Sequence, residues 1–223
     1  MKPTQEKTSS TKIAVMNAAE RLFAARGFKS TSLRAITAAA RANLGAVNYH
    51  FASKDALILA VLERRLKPLN ERCTALLEEF LRKAPDGRLS VEKILEAMFR
   101  PRLELIVKQS LGGRNFQRLT AFVLAEPGKF LKPLLEEQFS EKNRLFHAAL
   151  RRALPGLSES EAFWKMHFSY GAFMHTISHP HILEILSHGL CRLTDTDKTL
   201  AMIIEFCAAG FRSGTKTGVK KIK

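Results

Sequence analysis

Apolar residues recur at helical spacing along almost the whole chain. Val15, Ala18, Ala19, Leu22 and Phe23 stand at i, i+3, i+4, i+7 and i+8, which predicts an amphipathic helix. Gly27 closes it after Arg26, because glycine accepts the left-handed conformation that ends a helix. Ser32 is a good N-cap, since its hydroxyl can accept from an otherwise unpaired N–H in the next turn. Leu33, Ile36 and Ala40 then share one face of a second, short helix, which Arg41-Ala42 breaks. Asn43 caps a third short helix, with Leu44 and Val47 inward and Asn48, Tyr49 and His50 on its other side. Ser53 caps a long fourth helix carrying the stripe Ile58, Leu62, Leu66, Leu69, Cys73, Leu76 and Phe80. Pro68 interrupts that stripe and predicts a bend or a division. After the turn at Ala84-Pro85-Asp86-Gly87, helices are expected over 89–109, 113–125, 129–152, 158–188 and 195–213. No alternating strand pattern of useful length and no repeat appears, so the expected fold class is all-α.

Two short helices crossing at a tight break form a helix-turn-helix unit. The second helix offers hydrogen-bonding groups on a short rod, which suits a helix lying in a DNA groove. Thr31, Ser32 and Arg34 are expected at phosphates or the groove edge. Asn43, Leu44, Gly45, Ala46 and Asn48 are expected to approach bases, Gly45 and Ala46 through close backbone approach and methyl contact. Tyr49, His50 and Lys54 are expected to clamp phosphates. Lys54 lies in the first turn of its helix, where a cation opposes the helix dipole unless a phosphate is near.

Three segments resemble the TetR family of bacterial one-component repressors: Ala-Ala-Glu-Arg-Leu-Phe-Ala-Ala-Arg-Gly-Phe (18–28), Thr-Ser-Leu-Arg-Ala-Ile (31–36) and Val-Asn-Tyr-His-Phe-Ala-Ser-Lys-Asp-Ala-Leu (47–57). The segments 43–51, 162–168 and 206–212 are similar to the branch that includes fatty-acid-responsive regulators. The resemblance implies a three-helix DNA-binding head over 1–52 and a helical effector-binding and dimerisation domain over 53–212. A basic tail over 213–223, rich in Gly, Thr and Lys, is expected to be disordered. The implied function is that of a dimeric repressor, released from a palindromic operator by a small, apolar effector. The family usually has glycine in the turn where this chain has Arg41. A left-handed Arg costs about 1 kcal/mol more than Gly there.

Charge strengthens the DNA reading. The 223 residues carry a formal net charge of +15. Residues 1–60 hold nine Lys or Arg against Glu6, Glu20 and Asp55, and the tail adds Lys216, Lys220, Lys221 and Lys223. Such a balance favours a polyanionic partner. Cys73, Cys191 and Cys207 form no CxxC pair, which argues for a reducing cytosol over a disulfide framework. No apolar run is long enough for a membrane helix, and no signal peptide is expected after Lys2 and Lys7. A cytoplasmic protein follows.

No nucleophile elbow, phosphate loop or dinucleotide fingerprint occurs, so neither an enzyme nor a cofactor is expected. His175, His179, His181 and His188 suggest a metal site only loosely, because Pro180 breaks their helix; no metal is expected. The alternative from another class is a non-sensing architectural DNA-binding protein relying on its basic surface.

The body is rich in Phe and Met, which serve either as core or as walls of an effector pocket. Position in the middle helices, with the family resemblance, selects Met98, Phe99, Leu103, Phe116, Leu119, Phe122, Val123 and Phe168 as pocket candidates. The last two helices carry the candidate dimer face: Phe163, Met166, His167, Tyr170 and Met174 on one, Ile203, Ile204, Cys207 and Phe211 on the other. Four such helices from two chains would pack about a two-fold axis.

Overall fold

A computed structural model describes residues 3–107, 113–125 and 131–213. The described residues form ten α-helices and no strand. The tail expected to be disordered lies outside the described residues beyond Ser213.

The chain clusters into two compact units, residues 1–68 with 109–140, and residues 69–108 with 141–223. The first contains α1 (Pro3–Arg26), α2 (Leu33–Ala40), α3 (Leu44–Phe51), α4 (Lys54–Lys83) as far as Pro68, and α6 (Gly113–Ala125). The second contains the rest of α4, α5 (Val91–Val107), α7 (Leu131–Ala153) from Glu141, α8 (Glu159–Ser178), α9 (Pro180–Leu186) and α10 (Thr196–Arg212). The head therefore packs with the first half of α4 and with α6, elements that local pattern alone assigns to the body.

The head's core is the expected stripe of α1 closed by its neighbours. Val15, Ala18, Ala19 and Phe23 are buried with Ile36, Val47, Leu57, Ile58, Val61 and Leu62. Across this apolar core runs one ionic clamp. The buried carboxylate of Glu20 on α1 accepts from Arg65 at 2.9 Å and from Arg64. Arg64 also donates to Asn17 Oδ1 at 2.8 Å.

The body unit is organised by α10 lying antiparallel along α5. Asp197 at the start of α10 pairs with Arg100 at 2.7 Å, and Arg212 at its end pairs with Glu92 near the start of α5. Phe99 and Phe173 stack in the core with ring centroids 4.4 Å apart. α8 begins with a capping box between Ser158 and Glu161, and Lys165 donates to the carbonyls of Phe211 and Ser213, capping the end of α10. Burial pushes the Cys207 thiol above its ordinary range.

Two expectations change. The helix expected over 158–188 is split at His179, because Pro180 disfavours the helical conformation in the residue before it. The dimer face expected on α10 is partly interior: Ile204, Cys207 and Phe211 are buried within the chain, Phe211 completely. The outward stripe of α10 lies beside them and carries Met202 and Phe206. Pro68 and Pro101, by contrast, each lie inside one continuous helix, α4 and α5.

Removing one side of a buried ion pair leaves charge behind without compensation. Because Arg64 and Arg65 keep about a quarter of their side chains in water, the Glu20→Ala variant is expected to lose about 2 kcal/mol in urea unfolding. Glu104→Ala, which removes the exposed Arg72 pair, is expected to lose less than about 1 kcal/mol.

Candidate nucleic-acid interface

The helix-turn-helix is held by its caps. Ser32 Oγ accepts from the Ala35 N–H at 3.1 Å, Asn43 Oδ1 from Ala46 at 2.7 Å, and Ser53 Oγ from Ala56 at 3.0 Å. Each cap satisfies a donor that the first turn of its helix leaves open. Between α2 and α3, Arg41 takes a left-handed conformation, φ 51° and ψ 40°. The Ala42 N–H reaches back to the Thr37 carbonyl at 3.0 Å, so the turn has the geometry for which glycine is usual.

Burial then sets which face of α3 is presented. Val47 and Phe51 are anchored inside. Asn43, Leu44, Gly45, Asn48 and Tyr49 are exposed, Tyr49 to 80%, while Ala46 and His50 are half-buried. The Tyr49 and His50 rings meet edge to face with centroids 5.2 Å apart. Leu44, read from sequence as an inner residue, is on the outside; Phe51 takes the inner place with Val47. Ser32 and Arg34 are exposed at the start of α2, and Lys54 is half-buried at the start of α4.

Thr31 is a correction. It is 1% exposed, and its hydroxyl donates to the Gly27 carbonyl at 2.8 Å. That hydroxyl closes the α1–α2 connection and is not available to a phosphate.

The pocket candidates fall in both units. Met98, Phe99 and Leu103 are buried in the body unit, and Phe116, Leu119 and Val123 in the head unit. Phe122 is partly exposed, and its ring packs 3.6 Å from the position a Cβ on Gly27 would take and edge-on to Phe28. It serves the α1–α6 contact. Phe168 is also corrected: it is 62% exposed on the outer side of α8, beside Trp164 with ring centroids 5.5 Å apart.

Trp164, Phe168, Met202 and Phe206 thus form outward apolar stripes on α8 and α10, with His167 among them. Phe163 is half-exposed, and Met166, Tyr170, Met174 and Ile203 are half-buried at the edges. Sequence reasoning missed Trp164, Met202 and Phe206 because both sides of these helices are apolar. His175 and His179 stack with centroids 5.2 Å apart, but among the described residues no group of three or more His, Cys, Asp or Glu converges as a metal site. No helix among them is long and apolar enough to cross a membrane.

Comparison with known proteins agrees with this architecture. Residues 15–61 match the model of bacterial regulatory proteins of the tetR family, and residues 96–210 match that of a tetracyclin repressor-like C-terminal domain. No curated protein matches the sequence. Among solved structures the chain is similar to the transcriptional regulator FadR from Bacillus subtilis in complex with stearoyl-CoA, at 15% identity, 89% of this chain, 98% of that chain and TM-score 0.60. It is similar to NalD, the secondary repressor of a multidrug efflux pump in Pseudomonas aeruginosa, at 22% identity, 92% and 96% coverage and TM-score 0.58. It is also similar to a gamma-butyrolactone receptor, at 21% identity, 91% and 99% coverage and TM-score 0.54.

The turn yields a stability prediction. Glycine accepts the left-handed region that strains Arg41, so Arg41→Gly is expected to raise stability by about 1 kcal/mol. Arg41→Ala keeps the strain and should stay within about 0.5 kcal/mol of the parent in the same urea titration.

Proposed function

We propose a function on the premise that this chain belongs to the TetR family of bacterial regulatory proteins. It is a DNA-binding transcriptional regulator and not an enzyme. In our reading it acts in the cytoplasm as a homodimeric repressor that binds a palindromic operator and leaves it when a small effector enters the body. The observation that carries this is the face of α3: a capped rod, anchored by Val47 and Phe51, that turns Asn48 and Tyr49 outward.

Ser32 and Arg34 approach the phosphates or the groove edge. Asn43, Leu44, Gly45, Ala46 and Asn48 approach base edges, and Tyr49, His50 and Lys54 hold the backbone. One eight-residue helix contacts too little DNA to select a site alone. Two heads about 34–36 Å apart would read two half-sites. The apolar stripes of Trp164, Phe168, Met202 and Phe206 supply the face for the second copy. Phe163, Met166, His167, Tyr170, Met174 and Ile203 lie at its margins.

Met98, Phe99 and Leu103, the pocket candidates inside the body unit, support an apolar effector there. The FadR structure was solved with stearoyl-CoA. An effector moves the equilibrium only by as much as it prefers the dimer that cannot span the operator.

Selection of bound sequences from random DNA at physiological salt should return a palindrome; no preference would favour the architectural alternative. On that operator, Lys54→Ala should weaken binding to all sequences and lower the salt slope by about 1. Asn48→Ala should instead relax discrimination at one base pair by about 1–3 kcal/mol. Equal loss on operator and random DNA would overturn the role given to Asn48.

A paired Trp164→Asp and Phe206→Asp variant should sediment as a monomer with its helical content unchanged and lose operator binding. A stable dimer in that variant would place the two-fold contact elsewhere.

A further inference from the structure

Arg41, in the turn between α2 and α3, is strained in its backbone and idle in its side chain. Its own N–H donates to the Ala38 carbonyl at 3.2 Å, and the Ala42 N–H to the Thr37 carbonyl at 3.0 Å. Hydrogen bonds on both sides of the residue thus hold it at φ 51° and ψ 40°. A Cβ makes that region unfavourable, and glycine would be at ease there. Nothing inside the molecule offsets the strain through the guanidinium. The side chain is exposed, and among the described residues it has no hydrogen bond, ion pair or ring contact. Its neighbours Ala38, Ala39, Ala40 and Ala42 offer no side-chain acceptor. Arg64 and Arg65 of the same unit differ, because both reach Glu20.

The charge around Arg41 points outward as well. Between Arg21 and Lys54 the chain has no Asp or Glu, while Arg26, Lys29, Arg34 and Arg41 fall between those two cations. Glu20, at the border of this stretch, is already taken by Arg64 and Arg65. A surface charged with one sign draws a polyanion. The place of the residue then decides which part of the polyanion it meets. Asn43, two residues on, begins the exposed face of α3. In a helix-turn-helix on DNA the first helix crosses the phosphate backbone and the N-terminal end of the second enters the groove. The turn that joins them stands at the groove edge, where the backbone passes. A guanidinium fork there matches two phosphate oxygens.

We propose that Arg41 is a phosphate-contacting residue of the DNA interface, and that the contact made on DNA offsets the strain of the turn. The proposal rests on the reading that the α3 face meets DNA, and it adds to that face a cation lying outside both helices. Stability and affinity then oppose each other at this position. Glycine suits the free protein, and arginine suits the complex.

The test uses the full chain, the operator returned by selection and a random duplex of equal length. Affinities of the parent, Arg41→Gly, Arg41→Ala and Arg41→Lys are measured across a salt series. Arg41→Gly and Arg41→Ala should each weaken binding to both duplexes, on the order of tenfold per head at about 0.1 M salt, and lower the salt slope by about 1 per head. Arg41→Lys should keep the slope. Arg41→Gly is expected to lose affinity while it gains stability, so damage to the head cannot account for the loss. Equal slopes for the Gly and Ala variants separate the lost charge from the changed backbone. Ethylating the operator phosphates singly should reveal one position per half-site that weakens the parent and leaves Arg41→Ala unaffected. An unchanged slope in Arg41→Gly and Arg41→Ala overturns the contact and leaves the DNA-binding reading standing, as does a slope that falls equally in Arg41→Lys. Loss on the operator alone, with random DNA bound as before, overturns it in favour of a base contact. A parent that binds neither duplex overturns the contact and the reading of α3 together.

Discussion

The buried carboxylate of Glu20, gripped by the guanidinium groups of two consecutive residues of α4, is the interaction on which the head depends. Apolar contacts between helices have no direction of their own and tolerate sliding. A carboxylate shared by Arg64 and Arg65 does not, because Arg65 must reach both of its oxygens while Arg64 bonds one of them and Asn17 together. It fixes the rotation and register of α4 against α1. α1 in turn carries the core onto which Ile36 and Val47 close, and Val47 sets which side of α3 faces out. The clamp lies one helical turn before Pro68, where the part of α4 that belongs to the head unit ends.

Much of this was legible locally. Ser32, Asn43 and Ser53 announce three helix starts because capping is decided within four residues. Glycine at position 27 and proline at position 180 likewise act through their own backbone restrictions, and the left-handed Arg41 appears in sequence as an unusual residue at a turn. What escaped was decided at longer range. Glu20 meets its arginines 44 and 45 residues away, and nothing near it says that its charge is inside. Thr31 has the look of a phosphate contact, but its hydroxyl is used by a carbonyl four residues earlier.

The inner and outer faces of α10 were indistinguishable for a simpler reason. Both are apolar: Ile204, Cys207 and Phe211 on one, Met202 and Phe206 on the other. Hydrophobic periodicity identifies a buried face only when the opposite face is polar. In the dimer we propose, α10 meets its own chain on one side and a second copy on the other, which erases that contrast. The same applies to α8, where Phe173 lies inside and Trp164 and Phe168 outside. Arg102 presents the converse case. It follows Met98 by one helical turn on the inward side of α5, a charged residue in an apolar register.

Gly27 joins three parts of the head within a single residue. Its positive φ ends α1, the Phe122 ring of α6 packs beside it, and its carbonyl receives the Thr31 hydroxyl just ahead of the Ser32 cap. Pressure from α6 therefore arrives at a peptide already tethered to the entrance of the reading unit. A displacement there cannot dissipate along a flexible connection; it is handed directly to the bond that seats α2.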